Sequence, residues 1–170
     1  MQQGGEERGG RITYEELGWL VDFAFPKKMR KVFMRTDLCV RAVNLGDMRV
    51  DVHVREQLLQ MDYPARPGGY ATPLEVLLAS LAACAANTLS LVLRKKMGAK
   101  VDSIEVEAIA ERRAEHPTVL TAIELAYHLR GEALDAELVE RAVRLAEDKL
   151  CPVLAMLRPG TEIHSRWQVD

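Results

Sequence analysis

Cysteine is scarce in this 170-residue chain: there are three, none in Cys-x-x-Cys spacing, which excludes a disulfide framework. Aromatic residues make up only 5%, and 23 Lys and Arg against 25 Asp and Glu leave a net charge of -2, so no basic surface for nucleic acid is expected. The first ten residues, Met1 to Gly10, lack the apolar run of a secretory signal, and a reducing cytoplasm is the expected location. His53, His116, His128 and His164 are scattered without metal-ligand spacing, so neither a metal nor another cofactor is expected.

What is present is 48% hydrophobic and 28% charged, the balance of a globular protein of one main domain. Residues 1–35 read as an N-terminal extension. In it Thr13-Tyr14-Glu15-Glu16 forms a capping box for a short helix that stops at Pro26, and Lys27 to Lys31 form a solvated linker. Residues 36–170 form the domain proper. From Asp37 to Asp62 the pattern has period two, with Leu38, Val40 and Ala42, then Val50, Val52 and Val54, around a turn at Asn44 to Asp47. Cys39 falls in the first of these strands, and a third short strand is expected at Gln57 to Met61. A Pro- and Gly-rich loop, Tyr63 to Tyr70, then leads into a helix.

Both ends of that helix are written in the sequence. Thr72 is the N-cap, Pro73 the first helical residue and Glu75 the capping-box partner, while Arg94, Lys95 and Lys96 precede a stop at Gly98. Val76 to Leu93 carries no charge, so it must be buried on every side, in lipid or in protein. Ser80, Asn87, Thr88 and Ser90, and the half-polar strands on both sides, speak for protein. The small residues Ala79, Ser80, Ala82, Ala83, Ala85 and Ala86 allow a second backbone to approach closely, as in a helix at the centre of a homodimer. Cys84 sits in the middle of this run.

Two alternating strands follow, with Ile104, Val106, Ala108 and Ala110 on one face of the first and Val119 to Leu129 repeating the pattern after a turn at Glu115-His116-Pro117. Asp135 caps an amphipathic helix with Leu138, Ala142, Leu145 and Ala146 turned inward. Cys151 stands before Pro152 at the start of a short turn to Leu157, and a last strand runs from Glu162 to Val169.

This order of hairpin, apolar helix with a cysteine, hairpin, helix, cysteine and final strand resembles the OsmC/Ohr family of osmotically inducible and organic-hydroperoxide-resistance proteins. The resemblance runs from about Asp37 to the C-terminus. It is carried by Gly68-Gly69, by Thr72-Pro73-Leu74-Glu75 through Cys84, by His116-Pro117, and by Lys149-Leu150-Cys151-Pro152-Val153. It implies an α+β fold with antiparallel sheets around two central helices in an intertwined homodimer. It also implies reduction of organic hydroperoxides in defence against oxidative stress, with Cys84 as peroxidatic thiol, Cys151 as resolving thiol and an external dithiol as reductant. Neither nucleic acid nor membrane is an implied partner.

An unperturbed thiol is only about 3% ionised at neutral pH, so Cys84 needs activation. It lies on the order of 16 Å along the helix from Pro73, beyond the reach of the helix-end field. Active members of the family use an arginine from the N-terminal strands and a glutamate directly after the helix-opening proline. Here Leu74 takes that place and the acid stands at Glu75, which is a candidate catalytic residue and also explains itself as the cap. Arg35, Arg41, Arg49 and Arg55 all lie in the appropriate region, and no motif selects one.

For Cys151 the local pattern predicts a lowered pKa, because Pro152 places the thiol at a helix N-terminus. If the two thiols work as the pair the resemblance implies, their Cα atoms should approach to within roughly 7 Å, or be able to after a small movement of the Cys151-Pro152 turn, with Cys151 as the mobile partner. Leu77, Leu81 and the Met156-Leu157 region are expected to give the peroxide an apolar approach, with Tyr63 and Tyr70 shaping its mouth. The alternatives are two buried core thiols, or a noncatalytic OsmC-like module that binds an apolar small molecule.

Overall fold

Two three-stranded sheets and one long helix dominate residues 38–170, the part of the chain described by the computed structural model. The helix expected before Pro26, the basic run Lys27 to Lys31 and Arg35 lie outside the described residues.

The first sheet is an antiparallel meander of β1 (Arg41–Gly46), β2 (Arg49–Val54) and β3 (Gln57–Met61). The β1–β2 turn falls at Asp47 and Met48, both with positive φ, slightly later than the sequence pattern suggested. Leu38, Cys39 and Val40 precede β1 and are exposed, so Cys39 is not a strand residue as expected. The β1–β2 ladder ends at Arg41–His53, and β2 itself has only Val54 left before the chain turns into β3, so residues before Arg41 have no ladder to join.

Helix α1 spans Pro73–Leu91 and begins with the expected capping box: Thr72 Oγ1 accepts from the Glu75 N–H, and Glu75 Oε2 accepts from the Thr72 N–H at 2.6 Å. Val92–Lys96 continue it as a wider turn, in which the Met97 N–H reaches the Val92 carbonyl, five residues back. Gly98, at φ +69, then reverses the chain, as a residue with no Cβ does without strain. The three cations Arg94, Lys95 and Lys96 sit at the negative end of the helix.

The second sheet has the order β4-β5-β6, with β4 (Lys100–Arg112) antiparallel to β5 (Leu120–Glu132). Strand β6 (Glu162–Val169) runs parallel to β5, so the sheet is mixed where antiparallel pairing was expected. The cause is the crossover through α2 (Ala136–Leu145) and α3 (Pro152–Leu157), which returns the chain to the end of the sheet where β5 began. Asp135 caps α2 by accepting the Leu138 N–H at 2.7 Å. The inward face of α2 is Val139, Ala142, Val143 and then Ala146, with Leu138 and Leu145 flanking it half-buried.

The core lies between α1 and the second sheet and is closed by α2 and α3. Leu81, Leu89 and Leu93 meet Ile123, Leu125, Leu129, Val139 and Leu154, all fully buried. Burial of α1 is one-sided, however. Among its residues only Leu81, Ala85, Thr88 and Leu89 are buried within the protomer, while Leu77 and Leu91 are exposed. Pro73–Lys96 is the one helix among the described residues long and apolar enough to cross a membrane, and the described residues of one chain do not bury it all round.

Candidate functional site

The capping box fixes where α1 starts and therefore where Cys84 stands, on the border of its buried face beside Leu81, Ala85 and Thr88. The Thr88 hydroxyl donates to the Cys84 carbonyl at 2.7 Å. Cys151 arrives from the other side. Ala146–Leu150 form a second wide turn, closed by the Cys151 N–H on the Ala146 carbonyl at 2.9 Å, and Cys151 itself is extended, at φ -81 and ψ 103. Pro152 cannot continue the preceding helix and starts α3 instead. The Cys151 carbonyl accepts the Ala155 N–H at 3.1 Å, so Cys151 is tied by its backbone on both sides.

These two placements bring the sulfurs of residues 67 positions apart to 3.1 Å, with the Cys151 thiol donating to Cys84 Sγ. Both are free thiols; Cys151 is buried and Cys84 half-buried. Burial pushes the Cys151 thiol up to about 11, and its hydrogen bond to Cys84 adds to the rise. The N–H groups of Leu154 and Val153 at the start of α3 pull the other way and are outweighed. The lowered pKa expected for Cys151 is thus corrected: a helix of six residues offsets too little of the cost of placing a thiolate where only 2% of the residue is exposed.

Glu75 is held elsewhere. Its Oε2 accepts from both the backbone N–H and the hydroxyl of Thr72, and these bonds hold the carboxyl below its ordinary value. Nine residues of helix separate it from Cys84, roughly 13 Å along the axis. Of the candidate arginines in the described residues, Arg49 lies over the Tyr70 ring at 5.5 Å, Arg41 has its Nε buried without a partner, and Arg55 occupies the β2–β3 turn. Among the described residues the hydrogen-bonding partner of Cys84 Sγ is Cys151 alone. Leu81 belongs to the apolar core that also holds Cys151, and Leu157 packs against that core, whereas Leu77 and Met156 lie on the surface.

Two polar arrangements escaped the sequence reading. Asp62 is buried, and its Oδ2 accepts from Arg66 and from the Tyr70 N–H, which organises the loop before α1. Burial alone would push its carboxyl up, but the Tyr70 N–H, the bond and charge of Arg66 and the charge of Arg49 outweigh it and hold the pKa below its ordinary value. A Cβ at Gly69 would stand 2.8 Å from the Arg66 side chain and 3.1 Å from Asp62 Oδ2, which is why glycine belongs there. The Asp62 to Arg66 spacing was the available signal. The second arrangement joins Tyr127, Glu147 and Ser165, whose side chains converge from β5, the wide turn before Cys151 and β6. No local pattern announces it.

Over residues 66–166, which include both cysteines, the chain matches the family model described as OsmC-like protein. The chain belongs to the OsmC-like family. Escherichia coli protein YhfA is 34% identical over 98 residues, covering 58% of this chain and 72% of YhfA. A hypothetical protein from Aquifex aeolicus VF5 superposes with a TM-score of 0.71 at 25% identity, over 80% of this chain and 98% of that one. An organic hydroperoxide resistance protein from Elizabethkingia anophelis shares the fold, with a TM-score of 0.64 at 22% identity over 81% of this chain and 100% of that one. The OsmC-like α+β architecture expected from the sequence is therefore shown.

Proposed function

We propose that the protein is a thiol peroxidase that reduces organic hydroperoxides, with Cys84 as the attacking thiol and Cys151 as the resolving one. The observation that carries this reading is the 3.1 Å contact between the two free sulfurs. Cys151 keeps its proton and donates it, so of the pair Cys84 is the nucleophile. Cys84 gives up its proton and attacks the terminal peroxide oxygen; the O–O bond breaks, the alkoxide takes up a proton equivalent to the one Cys84 lost and leaves as an alcohol, and Cys84 holds a sulfenic acid. Cys151 then attacks that sulfur, the disulfide forms, and the thiol proton leaves with the hydroxyl as water. An external dithiol returns both sulfurs to the thiol state. Leu81 and Leu157 give the site an apolar wall, which favours alkyl hydroperoxides over hydrogen peroxide.

The working form is a homodimer in a reducing compartment such as the cytoplasm. The exposed apolar side of α1 and the apolar face of the first sheet, where Leu59 is half-exposed among the described residues, support it, since a second copy could cover such surfaces. Stopped-flow consumption of cumene hydroperoxide with dithiothreitol tests the activity: the wild type turns over, and Cys84→Ser does not. Equal and negligible rates for both would end the reading.

A second reading, a noncatalytic module holding an apolar small molecule, is favoured by one observation: Glu75, the acid nearest the family position, is engaged in the helix cap. Native mass spectrometry separates the two. A retained ligand with thiols inert to peroxide supports binding, and a gain of one oxygen at Cys84 supports the enzyme.

A further inference from the structure

Cys151 sits on a short joint, and that joint is fastened. Glu147, the second residue of the Ala146–Leu150 turn, has only 13% of its side chain exposed. Its Oε1 accepts two hydrogen bonds, from the Tyr127 hydroxyl on β5 at 2.8 Å and from the Ser165 hydroxyl on β6 at 2.6 Å. Arg158, just after α3, lies 3.8 Å from Glu147 Oε2 and donates to Asp148 Oδ1 at 3.0 Å. The turn before Cys151 is thus tied to two strands, and Arg158 joins it to the far end of the helix after Cys151. Tyr127 is 1% exposed and, held by burial and by the Glu147 charge well above its ordinary pKa, remains a donor at any working pH.

We propose that Glu147 is the positioning residue of the resolving thiol: by pinning the Ala146–Leu150 turn to β5 and β6 it holds Cys151 Sγ against Cys84 Sγ and so sets the reduction potential of the pair. This rests on the pairing of Cys84 with Cys151 given above. The sulfurs stand 3.1 Å apart as thiols and must come to about 2.05 Å as a disulfide, so joining them needs a shift of about 1 Å and no rearrangement of the joint. The equilibrium between dithiol and disulfide follows the effective concentration of one thiol at the other, which falls when a restrained group is set free. Fastening the turn therefore makes the disulfide harder to reduce and shortens the life of the sulfenic acid that Cys151 must meet. Cys151, expected from Pro152 to be the mobile partner, is restrained instead.

The test uses the full-length protein and needs no peroxide for its main readout. Disulfide is formed with diamide, equilibrated in dithiothreitol redox buffers and quantified by alkylation and mass spectrometry for wild type, Glu147→Ala, Glu147→Gln, Ser165→Ala and Glu124→Gln. Glu147→Ala is expected to lower the disulfide equilibrium constant about tenfold, a potential less negative by about 30 mV. Glu147→Gln, which keeps an acceptor oxygen for Tyr127 and Ser165, restores most of it, and Ser165→Ala falls between. Glu124→Gln, which removes the charge partner of Arg166 on the same two strands, leaves the potential at the wild-type value. Dimedone trapping after one turnover should show a longer-lived sulfenic acid in Glu147→Ala.

An unchanged potential in folded Glu147→Ala overturns the proposal, and so does a shift in Glu124→Gln as large as that in Glu147→Ala. Should Glu147→Ala fail to fold by circular dichroism, Ser165→Ala against Glu147→Gln decides in the same way. A wild type that forms no Cys84 to Cys151 disulfide with diamide overturns this proposal and the pairing together. A wild type that forms the disulfide but consumes no peroxide overturns the peroxidase reading alone.

Discussion

The sheet β1–β3 and the sheet β4–β6 are both three strands wide and both alternate apolar with polar residues, yet among the described residues only the second has a core beneath it. Ile123, Leu125, Tyr127 and Leu129 on β5 are fully buried under α1. On β3 the residue of the apolar face that pairs with Val52, Leu59, is 42% exposed, and among the first sheet's residues only Met61 is buried. Alternation reports that a strand has an apolar face; it does not say whose atoms cover that face. The second sheet answers from within the described residues, and the first is not covered by them, nor is the open side of α1.

The contrast can be broken most directly by truncation. Leu125→Ala removes side-chain atoms from a packed interior and should cost about 2–5 kcal/mol in urea unfolding. Leu59→Ala, measured at concentrations where any dimer has dissociated, should cost under about 0.5 kcal/mol. Similar losses would show that the first sheet has its core within the protomer.

Next in size is assembly. Val52→Asp with Leu59→Asp, cross-strand neighbours on one face of the first sheet, places two charges on the face assigned to the partner, which should weaken association by on the order of 3 kcal/mol, about a hundredfold in Kd. Light scattering would then report monomers whose far-UV circular dichroism still shows the helices. An unaltered dimer would mean that this face is not the interface.

The join between the two halves gives a smaller effect. Thr72→Ala removes the α1 cap and should cost about 1 kcal/mol in thermal unfolding. The carboxyls of Asp62 and Glu75 beside it are both held below their ordinary pKa, so their contribution is complete above about pH 5 and is lost as the pH falls below about 4. A pH titration of Tm should show that acid limb, shallower in Thr72→Ala.

Smallest, and confined to the second half, is the alkaline limb. The Cys151 thiol is raised, so its contribution to stability is complete below about pH 8.5, the unfolded value, and declines as the pH rises toward about 11. Iodoacetamide labelling of Cys151 in the Cys84→Ser protein should still be climbing at pH 10. A plateau near pH 9 would show that burial does not hold the proton.

Local chemistry was legible in the sequence. Strands β3 and β6, the Thr72 and Glu75 cap, the Gly98 stop and the Asp135 cap stand where the residues put them, because each depends on neighbours a few positions away. Pairing across long separations was not legible. The parallel direction of β6, the end of the β1 ladder before Cys39 and the meeting of Glu147 with Tyr127 and Ser165 depend on which surfaces come together. The pKa of Cys151 failed for a related reason: its helix N-terminus is visible in Pro152, but the depth of its burial is a property of the whole core. Cys84 and Cys151 stood out through family resemblance, and their separation became a distance only in the fold.

The turn Ala146–Leu150 has one further consequence, for how the chain tolerates change in length. Its hydrogen bond from the Cys151 N–H reaches back five residues, one more than an α-helix would use. Deleting a single residue there would let the helix close normally, and the next side chain would emerge about 100° away around the axis. Every side chain in that turn could then be kept in kind while the sulfur it delivers faced somewhere else. Substitutions between Ala146 and Leu150 are graded in their effect, but the number of residues is not.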